Sequence, residues 1–361
     1  MKIGIVGLPN TGKSTLFNAL TGSSAVAADY PYSTIEPNIG VVAVPDERLD
    51  YLENIYFPKK TTHATIEFVD IAGLPEGASR GEGLGNRFLS YIREVDAILH
   101  VVRCFDTSES LAPEPIHDIE IVEMELILAD MEIVERRYQK VEKTSRTDRS
   151  QLVEAEFLKR LLDLLEGGKT AREVNPSTPL EIAVLKEMPL LTSKPVIFVA
   201  NISDLDFWNT PEGENSYLKE IEEYALARNA AAIEICALAE QEIVGLSLEE
   251  RNMFLDEVGR QGGLDKLIQE SYSLLNLISF LTAGTPEVRA WTITKGTKAK
   301  QAAGKIHSDL ERGFIRAEIV AFDDLKSSGS MTSAKEKGLV RVEGKDYIMK
   351  DGDITLVRFN V

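Results

Sequence analysis

Residues 7–15 read GLPNTGKST, which fits the phosphate-binding pattern G-x-x-x-x-G-K-[ST]. An apolar run, residues 3–6, comes directly before it, and a helix-like run, residues 16–20, follows it. A strand, a glycine-rich loop and a helix in this order are what a P-loop requires. In such a loop, backbone N–H groups surround phosphate oxygens at the positive end of the helix dipole. The stretch therefore predicts a nucleotide-binding α/β domain.

Two side chains of this loop have predicted roles in binding a nucleoside triphosphate. Lys13 supplies a point charge to the β- and γ-phosphates, and Ser14 can place its hydroxyl on Mg²⁺. Asn10, inside the loop, is a candidate for binding a monovalent cation such as K⁺ beside the phosphates. An asparagine at this position more often only shapes the loop.

A second metal contact is expected from IEFVDIAGL, residues 66–74. Asp70 ends an apolar strand, and Gly73 follows at the D-x-x-G spacing. This spacing lets the carboxylate reach a magnesium-bound water, while the Gly73 N–H senses the γ-phosphate. Thr34, between the P-loop helix and the next strand, is positioned to complete the metal shell. Glycines 77, 81, 83 and 85 indicate either a mobile switch or an ordinary flexible loop.

The residue that orients the attacking water is not evident. Leu74 stands where many GTPases have a glutamine for this purpose, and a leucine cannot orient water. Either another residue does so, or hydrolysis is slow. His117, in SESLAPEPIHDIE, is a candidate catalytic residue, although a lone loop histidine is usually just exposed.

Six short apolar runs predict the strands of a parallel-rich sheet, because most of them are apolar throughout rather than alternating. They are residues 3–6, 39–44, 65–69, 97–102, 196–200 and 232–236. The connection between the fourth and fifth runs is far too long for one crossover. Within it, two stretches with apolar residues at three- and four-residue steps predict a helical hairpin, residues 118–192. This hairpin is either a coiled-coil arm or an extra helical layer on the sheet.

The chain beyond residue 278 has a different composition. Short runs of β-branched residues alternate with glycine-containing turns, which predicts a small α+β domain, residues 278–361. This segment has 14 Lys and Arg against 11 Asp and Glu, a net charge of +3, whereas the whole chain carries -18. The remaining residues, 1–117 and 193–277, form the predicted nucleotide-binding domain.

Composition excludes several classes of protein. The chain is 43% hydrophobic and 27% charged, as expected for a soluble globular protein. Its acidic balance disfavours non-specific DNA binding. No apolar run approaches the length of a membrane span. The two cysteines, Cys104 and Cys236, lack metal-ligand or redox spacing, which indicates a reducing cytoplasm.

The stretch VIFVANISD, residues 196–204, resembles a guanine-binding loop, Asn-Lys-x-Asp, in which isoleucine replaces lysine. Asn201 can bond the polar edge of either purine, and Ile202 offers an apolar platform for either base. Asp204 would favour guanine if its carboxylate faced the N1–H and N2–H₂ donors of the base. We also assign Cys236 and Ala237, at the end of the last predicted strand of this sheet, to the nucleotide site. ATP is the preferred nucleotide in this interpretation.

These motifs together resemble the YchF family of Obg-like ATPases over nearly the whole chain. Three segments carry the resemblance most specifically: GEGLGNRFLSYIREVDAILHVVRCF (81–105), AGKIHSDLERGFIRAEIV (303–320) and EGKDYIMKDGDITLVRFNV (343–361). The resemblance implies a P-loop NTPase G domain, an inserted coiled-coil hairpin and a C-terminal β-grasp-like TGS domain. It also implies hydrolysis of ATP in preference to GTP, dependence on Mg²⁺, stimulation by K⁺, and association with the ribosome, through its large subunit.

The family's nucleotide contacts are carried over by resemblance onto matching positions: Asn10, Thr11, Gly12, Lys13, Ser14, Thr15, Thr34, Gly73, Asn201 and Ile202. The family is also similar in having a hydrophobic residue where Leu74 stands. Two features depart from its pattern. The loop after VVRCF lacks the family's I-x-H-V segment, so His117 is not at the matching place. The base loop ends in Asp204, where many members have glutamate.

Two alternatives to a ribosome-associated ATPase remain open from the sequence. One is an Obg-type GTPase with the same fold and true guanine specificity. The other is a nucleotide-gated binding module with negligible turnover, which Leu74 favours.

Overall fold

The six apolar runs form one sheet in the computed structural model, as the sequence predicts. The strands are β1 (Lys2–Val6), β2 (Asn38–Ala43), β4 (Thr65–Asp70), β5 (Ala97–Cys104), β6 (Val196–Ile202) and β7 (Ala231–Ile235). Their order is β2-β4-β1-β5-β6-β7, and the five strands from β4 to β7 pair in parallel. Every residue of β6 is buried, which explains its unbroken apolar sequence.

The structure describes residues 1–24, 37–71, 84–106, 112–145, 151–260 and 262–360. The chain folds as two compact units. Met1–Val41 and Glu67–Leu264 form the N-terminal unit, and Val42–Ile66 and Asp265–Val361 form the C-terminal unit. Within the described ranges, no helix has the length and apolar character needed to cross a membrane.

Helices lie between the strands of the first sheet and after its last strand. They are α1 (Lys13–Ser24), α3 (Leu84–Glu94), α4 (Pro115–Ser145), α5 (Leu152–Glu166), α6 (Pro179–Glu187), α7 (Asp204–Asn209), α8 (Ser216–Leu226), α9 (Ala237–Ile243), α10 (Leu248–Val258) and α11 (Gly263–Leu274). Because the strands from β4 to β7 are parallel, their carboxyl ends lie at one edge of the sheet. The P-loop, Asp70 and the base loop follow strands that end at this edge.

The predicted hairpin is present as α4 and α5, and its first helix belongs to two hydrophobic cores. Ile119, Val122, Leu126 and Ala129 pack into the core of the sheet. Further along α4, Ile127, Val134 and Val141 pack into a second core with α5. The two interpretations of the hairpin therefore each describe a part of it: the first half of α4 is a layer on the sheet, and the second half pairs with α5.

A buried carboxylate on α4 holds the chain where it returns from the hairpin to the sheet. Asp130 is 0% exposed. Its oxygens accept hydrogen bonds from Leu191 N at 2.7 Å, from Thr192 N at 2.8 Å and from Thr192 Oγ1 at 2.6 Å. Burial raises the pKa of the Asp130 carboxyl, and these hydrogen bonds act in the opposite direction. Four residues after Thr192, the chain enters β6.

The second sheet lies in the C-terminal unit. Its strands are β3 (Thr61–Thr62), β8 (Leu277–Ala283), β9 (Val288–Thr294), β10 (Phe314–Ala321), β11 (Arg341–Glu343) and β12 (Asp353–Phe359), with helices α2 (Glu47–Tyr56), α12 (Ala299–Ile306), α13 (Ser308–Arg312), α14 (Phe322–Ser328) and α15 (Met331–Glu336). Their order is β11-β10-β12-β8-β9-β3. The β8–β9 hairpin is antiparallel and β12 runs parallel to β8, which agrees with the expected β-grasp-like arrangement.

The compact units do not coincide with the predicted domains: the hairpin, residues 118–192, lies within the N-terminal unit, and residues 265–277 lie in the C-terminal unit. Residues 42–66 were assigned by sequence to the nucleotide-binding domain, but they lie in the C-terminal unit. Strand β3 pairs with β9, and Arg48 Nη1 donates to Asp351 Oδ2 at 2.6 Å. Asp351 in turn accepts from Ser279 N at 2.8 Å. These contacts join positions distant in sequence, which a pattern of local residues does not reveal.

Replacing the buried carboxylate on α4 should destabilise the fold. In Asp130→Ala, Leu191 N and Thr192 N lose their acceptor inside the protein, and each unsatisfied buried donor costs ~1–3 kcal/mol. We expect the free energy of unfolding to fall by about 2–5 kcal/mol, measured by urea denaturation. Glu132→Ala, at an exposed position of the same helix, is the control and should change it by less than ~0.5 kcal/mol. Equal stability of the two variants would contradict this account.

Candidate functional site

The loop between β1 and α1 adopts a conformation that depends on its glycines. Gly12 has φ +89°, and a Cβ there would collide with the amide nitrogen of Asn201. A Cβ on Gly7 would collide with the carbonyl oxygen of Val101 on β5. Asn10 adopts a left-handed φ of 62°, which asparagine tolerates better than most residues. The loop thus has little freedom to accept larger residues.

The side chain of Lys13, the first residue of α1, folds back over the P-loop. Its Nζ donates to the carbonyl oxygen of Leu8 at 2.6 Å, and the side chain is largely covered, with the residue 7% exposed. Burial lowers the pKa of Lys13, while the charge of Asp70 acts in the opposite direction. The Leu8 carbonyl also accepts from Thr11 Oγ1 at 3.1 Å. The ammonium group is held over the loop, where a point charge can meet phosphate oxygens.

Ser14 and Asp70 come together as the metal prediction requires. The parallel pairing of β1 with β4 places Asp70 opposite Ile5, at the edge where the P-loop begins. Ser14 Oγ donates to Asp70 Oδ2 at 3.0 Å. Burial raises the pKa of Asp70, and the Ser14 hydrogen bond and the Lys13 charge offset part of that increase. A hydroxyl and a carboxylate side by side are hard oxygen ligands of the kind that Mg²⁺ prefers.

Asn201 joins three loops of the site. Its Nδ2 donates to the carbonyl oxygen of Thr11 at 2.9 Å, and its Oδ1 accepts from Ala237 N at 2.9 Å. The amide is therefore engaged by the protein at both ends, on the P-loop and on the loop after β7. One N–H and one lone pair of the amide remain for a base. Its first task in this geometry is to hold the loops together.

The structure contradicts one expectation for the base loop. Ile202 is 2% exposed and packs into the core of the sheet, so its side chain does not offer a platform to a base. The reason is that β6 continues through Ile202, two residues beyond the end of the predicted strand. Two exposed apolar side chains lie close by in sequence instead, Leu205 at 68% and Leu238 at 51%.

The sequence analysis does not single out Leu205 and Leu238. They are the second residues of α7 and α9, directly after the base loop and after Ala237.

Asp204 begins α7 and is exposed. Its neighbour Ser203 caps the helix by accepting from Asp206 N at 3.0 Å. The Asp204 carboxylate contributes to the raised pKa of Cys236, for which burial is the largest cause. Cys236 caps α9, so the start of α7, with Asp204, lies near the start of α9, with Cys236 and Ala237.

The predicted catalytic residues are less well assembled. His117 is exposed in the first turn of α4, and no hydrogen bond joins it to the P-loop within the described ranges. Thr34, Gly73 and Leu74 lie outside the residues that the structure describes. Thr15, in the first turn of α1, is half-buried. His100 is a core residue of β5, and burial lowers its pKa to about 3, which keeps the ring neutral at physiological pH.

Two family models match the chain. One, described as "50S ribosome-binding GTPase", matches residues 2–137. The other, for the C-terminal domain of YchF GTPases and described as "Protein of unknown function", matches residues 277–360. The first covers the P-loop and Asp70, and the second covers most of the C-terminal unit.

Characterised relatives match over their full length. The chain is 53% identical to the ribosome-binding ATPase YchF of Bacillus subtilis (strain 168), with 99% of each chain covered. It is 46% identical to the ribosome-binding ATPase YchF of Escherichia coli O157:H7, covering 100% of this chain and 99% of that one. Among solved structures, the Schizosaccharomyces pombe YchF GTPase is 38% identical with a TM-score of 0.88, and the match covers 99% of this chain and 97% of that one.

The hydrogen bonds of Asn201 should be essential for nucleotide binding. Asn201→Asp removes the donor to Thr11 and turns a carboxylate toward a carbonyl oxygen, which costs ~1–3 kcal/mol. We expect the affinity for ATP to fall at least tenfold in a calorimetric titration. Asn252→Asp makes the same change at an exposed position of α10 and should leave the affinity unchanged. An Asn201→Asp variant that binds as tightly as the wild type would refute the role given to this amide.

Proposed function

The chain belongs to the YchF family, and on that basis we propose that it is a ribosome-associated ATPase. The observation that carries the proposal is the assembly of Lys13, Ser14 and Asp70 at one edge of the sheet. It occurs in a chain that matches ribosome-binding ATPases from end to end. A P-loop with this assembly binds a nucleoside triphosphate together with a divalent cation.

The oxygen atoms of Ser14 and Asp70 fit a divalent cation, and Mg²⁺ is the ion proposed here. Ser14 would contact it directly and Asp70 through a bound water. Such a cation supplies charge that stabilises the phosphates. The protein's own part is to hold Ser14 beside Asp70 and to keep the Lys13 ammonium over the phosphate-binding loop. Thr34 is proposed to complete the metal shell, and the Gly73 N–H to sense the γ-phosphate.

ATP is proposed as the preferred nucleotide. The curated bacterial relatives are named as ATPases, whereas the fission yeast structure and the family model are named for GTP. Guanine recognition needs a carboxylate facing the N1–H and N2–H₂ groups. In this chain the lysine that usually fixes that loop is replaced by Ile202, which is buried. Apolar contacts from Leu205 and Leu238 would serve adenine without requiring Asp204.

The role of Asp204 can be tested directly. We expect the wild type to bind ATP more tightly than GTP, and Asp204→Asn to leave that ratio within about twofold. If the carboxylate read guanine, its loss would weaken GTP binding by ~1–3 kcal/mol and leave ATP binding unaffected. Asp256→Asn, which makes the same change at an exposed position of α10, is the control. A clear preference for GTP that disappears in Asp204→Asn would establish the GTPase alternative.

Slow intrinsic hydrolysis is proposed, because Leu74 cannot orient the attacking water. His117 remains a candidate for that role, at a position that the structure leaves exposed. Asn10 is proposed as a ligand of K⁺ beside the phosphates, consistent with its exposed amide at the mouth of the loop.

Association with the ribosome is proposed through the large subunit, in line with the description of the family model as a 50S ribosome-binding GTPase. The segment 278–361, with a net charge of +3, is a candidate contact with RNA, since the remainder of the chain is strongly acidic. A cytoplasmic location follows from this partner. No DNA or membrane partner is proposed.

Turnover measurements separate an ATPase from a binding module. We expect phosphate release from ATP to be slow alone and at least tenfold faster with ribosomes and K⁺ than with Na⁺ and no ribosomes. Lys13→Ala should reduce turnover to background by removing the charge on the phosphates. Lys59→Ala, an exposed lysine in the C-terminal unit, is the control. Negligible turnover under all conditions, with tight ATP binding retained, would favour the binding module.

A further inference from the structure

The C-terminal unit contains a cavity that the nucleotide chemistry does not use. Its volume is about 510 Å³, within the range of ligand sites in proteins. Most of its wall is apolar, and its residues come from helices α2, α12, α13 and α15 and from strands β8, β10 and β12. The apolar side chains include Ile306, Leu310, Met331, Val340, Leu356 and Phe359.

The cavity lies against the edges of two strands. Residues 354–357 of β12 all contribute to the wall, as do residues 282–284 at the end of β8. Successive side chains of a strand point to opposite faces of a sheet. A row of consecutive residues therefore shares one cavity only when the cavity lies beside the edge of the strand. The space is thus a gap in the sheet rather than a hollow under one face.

The strand pairing explains the gap. The ladder between β12 and β8 is confined to Ile354, opposite Leu281. On its other side β12 pairs with β10 along its whole length, from Asp353 to Phe359. Alternate backbone groups of a strand in an antiparallel ladder point away from its partner. Within the described ranges, residues 356–359 have no register partner on β8, so this part of β12 has a partner strand on one side only.

An unpaired strand edge is a template for another extended chain. A small molecule cannot reproduce the alternating donors and acceptors of several backbone residues, whereas an extended peptide does so with every second residue. The apolar wall suits the side chains that such a peptide would turn inward.

The charges at the rim indicate what else the peptide carries. Glu318, on β10, accepts from Arg358 Nε at 2.8 Å and lies 3.8 Å from Lys335 Nζ. Arg316 stands opposite Arg358 across the β10–β12 ladder. Three cations thus surround this carboxylate. The second carboxylate of the wall, Glu287, lies 3.9 Å from Arg289 Nη1, so cations outnumber carboxylates and the surplus positive charge attracts an acidic group. The Tyr56 hydroxyl, also in the wall, has no hydrogen-bond partner within the described ranges and is a further donor for it.

We propose that this cavity is a peptide-binding groove, in which an extended segment of a partner protein, apolar with at least one acidic residue, adds a strand beside β12. The groove lies within the C-terminal unit, so the proposal stands or falls independently of the nucleotide that the N-terminal unit binds.

Selection of peptides on the full chain tests the proposal. Random heptapeptides displayed on phage are selected on the wild-type protein in the presence of excess Ala283→Trp, which fills the cavity from its wall. We expect selected sequences that alternate apolar residues and contain Asp or Glu. Their affinity, measured with the synthetic peptide, should fall at least tenfold in Ala283→Trp. Lys295→Trp, an exposed position outside the cavity, is the matched control and should bind normally.

Two further measurements do not depend on the folding of Ala283→Trp. Methylating the backbone nitrogens of the peptide one at a time should weaken binding at least tenfold at alternate positions, because those N–H groups join the ladder. Lys335→Glu should weaken an acidic peptide and strengthen its Lys-substituted version. Failure to select any peptide, indifference to backbone methylation, or equal binding by Ala283→Trp would overturn the proposal.

Discussion

The site depends on one side-chain amide. Asn201 bonds the P-loop through Thr11 and the loop after β7 through Ala237, and it fits only because Gly12 has no side chain in its way. These loops follow three different strands, so no local hydrogen-bonding pattern fixes their spacing. A buried amide with a donor and an acceptor on opposite atoms does so at low cost, because both of its protein bonds are satisfied. The Asn201 amide thereby helps to fix the relative positions of the phosphate, metal and base subsites.

The parallel sheet supplies the other half of this arrangement. Since β1, β4, β6 and β7 all end at one edge, Lys13, Asp70, Asn201 and Ala237 converge without any long excursion of the chain. The close Ser14–Asp70 contact follows from the register of β1 on β4. Burial at this edge disfavours the charged forms of both Lys13 and Asp70. The opposite charges of Lys13 and Asp70 stabilise each other's charged forms. In the same way, this edge of the sheet can bind negatively charged phosphates together with a cation.

Much of this was predictable from local patterns. The P-loop, the D-x-x-G motif and the six apolar strands are encoded by neighbouring residues, and the structure has the strands within two residues of the predicted bounds. Properties that depend on distant pairings were not predictable. The placement of residues 42–66 depends on Arg48 meeting Asp351, and the burial of Ile202 depends on how far β6 continues. The gap beside β12 arises where a ladder stops, which the sequence of either strand does not show.

The helical insertion and the base loop are connected directly through β6. Asp130, on α4, grips Leu191 and Thr192, the chain then enters β6, and β6 delivers Asn201 to the nucleotide. A force applied to the hairpin, for example by a large partner that binds there, is thus transmitted to β6, the strand that positions the base loop. A change in the Asp130 contacts would therefore reach Asn201 through a single buried strand, β6.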